Sequence, residues 1–183
     1  MRKIVVSQFL TLDGIMEYPE KWSLPFLGDE ELSKDLLDNF LGSDAILLGK
    51  TSYQFFEARW PTRTGALADR FNALPKHVVS ADLQKAEWNN SSIIKANAID
   101  VIRKMKEQSG KNLLVLGSYQ LCQALMSSHL VDEYRLQVYP LTAGSGRRLF
   151  HRGIKHQTLN HTQTKSFGNG VVSLTYQVIQ SKT

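Results

Sequence analysis

The residues best equipped for chemistry follow two apolar runs that each end on glycine. Gly49, Lys50, Thr51 and Ser52 follow Ala45-Ile46-Leu47-Leu48, and Gly117, Ser118, Tyr119 and Gln120 follow Leu113-Leu114-Val115-Leu116. A strand that ends on glycine and turns into a helix gathers backbone N–H groups and the positive end of a helix dipole at one point, which suits an anion. Two such points on one parallel sheet can hold both halves of a dinucleotide. Lys50 adds a charge, and Thr51 and Ser52 add hydroxyls, on the first turn of the helix.

Other readings of these segments fail on spacing. A P-loop needs a further glycine five positions before Gly49, where Asp44 stands, and Ala45 to Leu48 read as strand rather than as a wrapping loop. Gly144-Ser145-Gly146 does not complete a dinucleotide fingerprint, because Leu149 occupies the place of its last glycine; nor is it a nucleophile elbow. None of the five histidines has HExxH context and Cys122 is the sole cysteine, so no metal site and no intramolecular disulfide are expected. Cys122 falls at an apolar helical position and reads as core.

The elements that position these residues follow from hydrophobic period. Strands are expected at about 2–10, 44–49, 76–80, 92–94 and 112–117. Helices are expected at 29–41, 51–58 and 119–127, with a short one before Pro75 and another from Asn97, as its cap, to Gly110. Leu32, Leu36, Phe40 and Leu41 form the apolar face of the first helix, with Asp29 near its start. Alternating strands and helices imply a mostly parallel sheet. The tail differs: residues 134–139 and 171–179 alternate apolar and polar, and Gly168-Asn169-Gly170 is a turn joining 156–167 to 171–179 as an antiparallel hairpin. The chain of 183 residues reads as one domain, 1–183, with 42% hydrophobic and 21% charged residues. Its net charge of +5 is scattered without a basic run, which argues against nucleic acid. No apolar stretch is long enough for a membrane span, and the first residues read as a strand rather than a signal peptide, so a cytoplasmic protein is expected.

Taken in order, these segments resemble the dihydrofolate reductase-like superfamily, above all the riboflavin-biosynthesis reductase domain and its small uncharacterised bacterial relatives. The resemblance covers nearly the whole chain. It rests on Thr11-Leu12-Asp13-Gly14, Leu48-Gly49-Lys50-Thr51-Ser52-Tyr53, Leu74-Pro75-Lys76-His77-Val78-Val79-Ser80 and, most specifically, Leu130-Val131-Asp132-Glu133-Tyr134 through Pro140 to Leu149-Phe150. It implies an α/β three-layer fold around a central eight-stranded sheet, mostly parallel with an antiparallel C-terminal hairpin strand. It also implies NADPH as hydride donor to a small heterocyclic substrate, as in 5-amino-6-(5-phosphoribosylamino)uracil reductase, and a homodimer. By this likeness Gly49, Lys50, Thr51 and Ser52 would face the cofactor phosphates and Ser80 the adenosine 2′-phosphate. Leu116, Gly117, Ser118, Tyr119 and Gln120 would line the pyrophosphate and nicotinamide ribose. Asp13 would grip the substrate.

Several residues keep a second reading. Asp13 before Gly14 is also an ordinary turn aspartate. Trp22 and Phe26 form either an apolar wall over a flat substrate ring or the packing of a lid. Asp29, Glu30 and Glu31 either reach the cleft or compensate the helix dipole. Two departures stand out: the family's two consecutive glycines are Gly117-Ser118 here, and Leu27 stands where dihydrofolate reductases carry the acid that anchors the pterin. Dihydrofolate is therefore not the expected substrate. The competing function is a cofactor-binding or regulatory protein that keeps the fold without turnover.

Overall fold

The computed structural model describes residues 1–151, 153, 154 and 156–179. Residues 180–183, which the expected domain includes, lie outside the described residues. Eight strands form one sheet: β1 (Ile4–Thr11), β2 (Ser43–Gly49), β3 (Lys76–Val79), β4 (Ser91–Ile94), β5 (Asn112–Leu116), β6 (Glu133–Tyr139), β7 (Leu159–Ser166) and β8 (Val172–Val178). Their spatial order is β4-β3-β2-β5-β1-β6-β8-β7. The first six run parallel, while β8 is antiparallel to both β6 and β7. The expected architecture is present. The first strand begins and ends slightly later than its apolar pattern suggests, and β7 starts at Leu159 rather than at 156.

Five helices cover the faces: α1 (Glu30–Leu41), α2 (Lys50–Glu57), α3 (Ala66–Ala73), α4 (Ala98–Glu107) and α5 (Tyr119–Ser127). Phe40 of α1, Tyr53 of α2 and Phe71 of α3 pack with Ile46, Leu48 and Leu114 in one layer. Ile102 of α4 and Leu121, Cys122 and Leu125 of α5 pack with Ala45, Leu47 and Val115 in the other. Strand β2 thus sends alternate apolar side chains into both layers, which explains its continuous hydrophobic run. Cys122 is fully buried core, and burial pushes its thiol up to about 12.

Local sequence explains the element ends. The Asp29 side chain accepts from the Leu32 N–H at 2.9 Å, capping α1 and settling its role at the helix start rather than in the cleft. Gly170, at φ +85, and Phe167 N–H bonding to Val171 O make the hairpin turn. Three expectations need correction. Leu41 is exposed, and Asp35 and Asn39 are buried instead on the sheet side of α1. Asn97 occupies the N-cap position of α4, yet it is left-handed and its side chain does not cap the helix. The helix expected at 51–58 begins one residue earlier, on Lys50.

Candidate functional site

Adjacent strands β2 and β5 end side by side, with Leu47 opposite Val115. Beyond them α2 turns to one face of the sheet and α5 to the other. This divergence is the topological switch point at which open α/β sheets bind ligands. The two glycine junctions therefore meet at one edge of the sheet. Gly117 has φ +54, and a Cβ there would lie 2.8 Å from Ser52 Oγ, so only glycine fits. Its carbonyl accepts from Gln8 Nε2 at 2.8 Å and from Cys122 Sγ at 3.3 Å, which fixes the turn from below.

Ser118 ties the junctions together. Its Oγ accepts from the Gly49 N–H at 2.9 Å and donates to Leu116 O at 2.8 Å, while its own N–H donates to Ser52 Oγ at 2.7 Å. Ser118 holds this position in a left-handed conformation, φ +58. Two amides that the sequence pattern assigns to an anion are thus taken by hydroxyls. Neither α2 nor α5 has a side-chain cap, so the first-turn N–H groups of Lys50, Thr51 and Ser52, and of Tyr119, Gln120 and Leu121, have no side-chain acceptor in the helix cap. Tyr119 is half-buried beneath the Arg147 guanidinium, 5.4 Å from its ring centre, and Gln120 is exposed.

Lys50 and Ser80 converge on Asp82, a residue that sequence reasoning missed. Lys50 Nζ lies 2.5 Å from Asp82 Oδ2, Ser80 Oγ donates to Asp82 Oδ1 at 2.8 Å, and Leu83 N–H donates to Ser80 Oγ at 3.0 Å. Hydrogen bonds from Lys50 and then Ser80 hold the Asp82 carboxyl below its ordinary range. The Ser80-x-Asp82 spacing was the available signal, since such pairs commonly form side-chain turns at strand ends. Gln8 was missed too, although a long polar side chain within a mostly apolar strand marks a buried partner.

The loop after β1 reaches across to residues 143–148. Asp13 Oδ1 accepts from Thr11 Oγ1 at 2.6 Å and from Ala143 N–H at 3.0 Å, and Oδ2 accepts from Gly144 N–H at 2.9 Å. These bonds, Thr11 first, hold the carboxyl down at about 2. Gly14 N–H bonds back to Thr11 O, so Asp13 sits in the turn its dipeptide suggests. Both carboxylate oxygens are committed, and gripping a substrate would require the 143–144 segment to let go. Trp22 and Phe26 stand edge-on to Tyr139, with ring centres at 5.2 and 5.5 Å, and Phe9 tilts against the same ring at 5.1 Å. Both rings belong to the apolar cluster around Leu32, Tyr139 and Phe167. Leu27, in the place of the pterin anchor, is exposed. Among the described residues no cluster of three or more metal-ligating side chains occurs, and no helix is long and apolar enough to cross a membrane.

A nucleotide's phosphates fit this edge by donor chemistry: two uncapped helix starts on neighbouring strands, one lysine and a glycine turn that admits no side chain. By sequence, the RibD C-terminal domain profile matches residues 2–173. The chain belongs to that family. The uncharacterised Bacillus subtilis (strain 168) protein YyaP is 25% identical, the match covering 96% of this chain and 94% of that protein. A candidate riboflavin biosynthesis protein of Shewanella sp. PV-4 superposes with TM-score 0.76 at 16% identity, over 97% of this chain and 99% of that one. The Thermotoga maritima diaminohydroxyphosphoribosylaminopyrimidine deaminase/5-amino-6-(5-phosphoribosylamino)uracil reductase gives 0.67 at 12% identity, over 97% of this chain and 57% of that one. The RibD C-terminal fold thus accounts for the strand order and for the antiparallel pair that closes the sheet.

Proposed function

We propose that this RibD-type domain is an NADPH-dependent reductase of a small heterocyclic substrate, pterin- or pyrimidine-like, carrying a C=N or C=O group. The observation that carries this reading is the meeting of two strand–glycine–helix junctions at the switch point, beside Lys50 and Ser80. Lys50, Thr51 and Ser52 would bind phosphate at the start of α2, and Gly117 to Gln120 would do so at the start of α5. Lys50 and Ser80, once released from Asp82, would receive a 2′-phosphate, so the Lys50–Asp82 pair favours a cofactor anionic enough to compete with a carboxylate. The cofactor supplies hydride. The chain's part is to hold its phosphates, fix the Gly117 turn through Gln8, and close Trp22 and Phe26 over the reacting ring. Asp13 would join the substrate when residues 143–144 move.

Thermal melting tests this directly. Millimolar NADPH is expected to raise Tm by mass action and more than NADH does, and Lys50→Ala is expected to erase most of that difference. No shift with NADPH would overturn the reading. A second function, cofactor binding without turnover, is favoured by Asp13, whose carboxylate oxygens are already held by Thr11, Ala143 and Gly144 rather than open to a substrate. It expects the same Tm shift with no NADPH oxidation across pyrimidine, pterin and carbonyl substrates. The reductase reading also carries a homodimer of small-molecule-binding subunits, which light scattering tests as a particle of twice 20.7 kDa.

A further inference from the structure

Further along the sheet edge that carries the glycine junctions, β1 and β6 finish side by side, with Thr11 opposite Tyr139. Residues 18–28, with single turns at Pro19–Lys21 and Leu24–Phe26, lay the Trp22 and Phe26 rings against the Tyr139 ring. The chain is anchored on either side of this segment. Before it, Met16 N–H donates to Arg147 O at 2.9 Å, and after it Asp29 caps α1. Between the anchors, Tyr18 is left-handed at φ +50 and Gly28 has open space around it.

Among the described residues, one hydrogen bond joins residues 18–28 to a distant element. Asn169 Nδ2, in the turn between β7 and β8, donates to Phe26 O at 2.6 Å. The other bonds of the segment are local: Trp22 Nε1 donates to Glu17 O at 3.0 Å, and Ser23 N–H donates to Pro19 O at 2.8 Å. Asn169 Oδ1 accepts from Val171 N–H at 3.0 Å, so a single orientation of the amide satisfies both partners. The turn that carries Asn169 is itself firmly held. Phe167 N–H donates to Val171 O and Gly170 N–H to Phe167 O, each at 3.0 Å, and Phe167 and Val171 are buried in one cluster with Tyr139.

Little else holds the segment down. Trp22 and Phe26 pack inward, whereas Tyr18, Leu24 and Leu27 are exposed, so much of its apolar surface gains nothing from this position. Next to its two rings, the Tyr139 hydroxyl is buried without a partner, a cost that native structures rarely carry and that lifting the segment would relieve. We propose that residues 18–28 are a strap and that Asn169 is the latch that sets how much of the time it is shut. Released, the strap swings on Tyr18 and Gly28 and bares a recess walled by Phe9, Tyr139 and Phe167, which admits a flat ring. The β7–β8 turn thereby governs entry to the proposed reductase site. The purpose of the strap rests on that reading, but the latch does not, and its test uses no cofactor.

Asn169→Asp keeps the acceptor for Val171 N–H and replaces the donor to Phe26 O with a carboxylate oxygen, which that carbonyl repels. Asn169→Ser is the second variant: its hydroxyl still serves Val171 N–H and is too short to reach Phe26. The full chain is labelled with 5-fluorotryptophan, and the Trp22 line is assigned by its loss in Trp22→Phe. Both variants are expected to move the Trp22 ¹⁹F line toward the position and solvent isotope shift of an exposed indole, while the Trp60 and Trp88 lines stay. Indole, a flat uncharged ring, is the probe for the recess. A ligand that needs the open state binds in proportion to its population, so indole affinity is expected to rise about tenfold in both variants. A merely loosened fold would weaken binding or move all three tryptophan lines. The proposal is overturned by an unmoved Trp22 line, by equal movement of Trp60 and Trp88, or by an indole affinity that stays or falls. An absent Tm shift with NADPH would overturn the reductase reading and leave these outcomes untouched.

Discussion

Ser118 does two opposing things at one backbone position. Its left-handed conformation costs roughly 1–2 kcal/mol for a residue with a Cβ, while its hydroxyl joins the two strand ends through Gly49 N–H and Leu116 O. Ser118→Ala keeps the strain and loses both bonds, so urea unfolding should show a loss of about 1–2 kcal/mol. Ser118→Gly loses the bonds and relieves the strain, and should fall within about 1 kcal/mol of the parent. Asp13 yields a pH prediction with a definite sign. Its folded carboxyl is held at about 2, below the ordinary 3.8, so the stability it lends is present above 3.8 and fades as pH falls toward 2. The Gly144 amide resonance should titrate with a midpoint near 2, and Asp13→Asn should abolish that titration. Lys76 works in the other direction. Burial pushes its ammonium down to about 8, although the carbonyls of Asn72 and Asn89 accept from it and the Trp88 ring lies 4.3 Å away. Between about 8 and 10.5 the unfolded chain binds more protons than the folded one, so stability should rise with pH there. Lys76→Met should flatten that rise, as read by denaturant titration at several pH values.

At the scale of elements, legibility tracked how local the cause was. The strands β2 and β5, the Asp29 cap and the Gly168–Gly170 turn rest on neighbours in sequence, and each appears where its residues suggest. Asp29→Ala should cost about 1 kcal/mol of unfolding free energy, because the Leu32 N–H loses its acceptor. Features that depend on distant partners were not legible. Nothing near Ser118 in sequence announces that its hydroxyl meets Gly49, 69 positions away, or that Ser52 answers its N–H. The same holds for Asp13, whose acceptor role depends on residues 130 positions further on. Helix α1 shows a third case: its apolar period correctly gives a helix, but the polar sheet behind it brings Asp35 and Asn39 inward and leaves Leu41 outside. The candidate site was thus readable as two strand–glycine–helix turns, and unreadable as the hydroxyl network that joins them.

For the whole molecule, strand order governs how the chain must assemble. The first strand made, β1, lies between β5 and β6 in the finished sheet. Its earlier partner, β5, begins at Asn112, about a hundred residues after Thr11. At ribosomal speeds of about 5–20 residues per second, Ile4, Val5 and Val6 wait on the order of 5–20 s with neither neighbour in existence. During that interval the emerging chain carries this sticky, β-branched segment unpaired. Nascent chains halted before residue 112 should therefore be captured by chaperones far more strongly than chains halted after 139, a contrast that ribosome-bound pull-down would reveal.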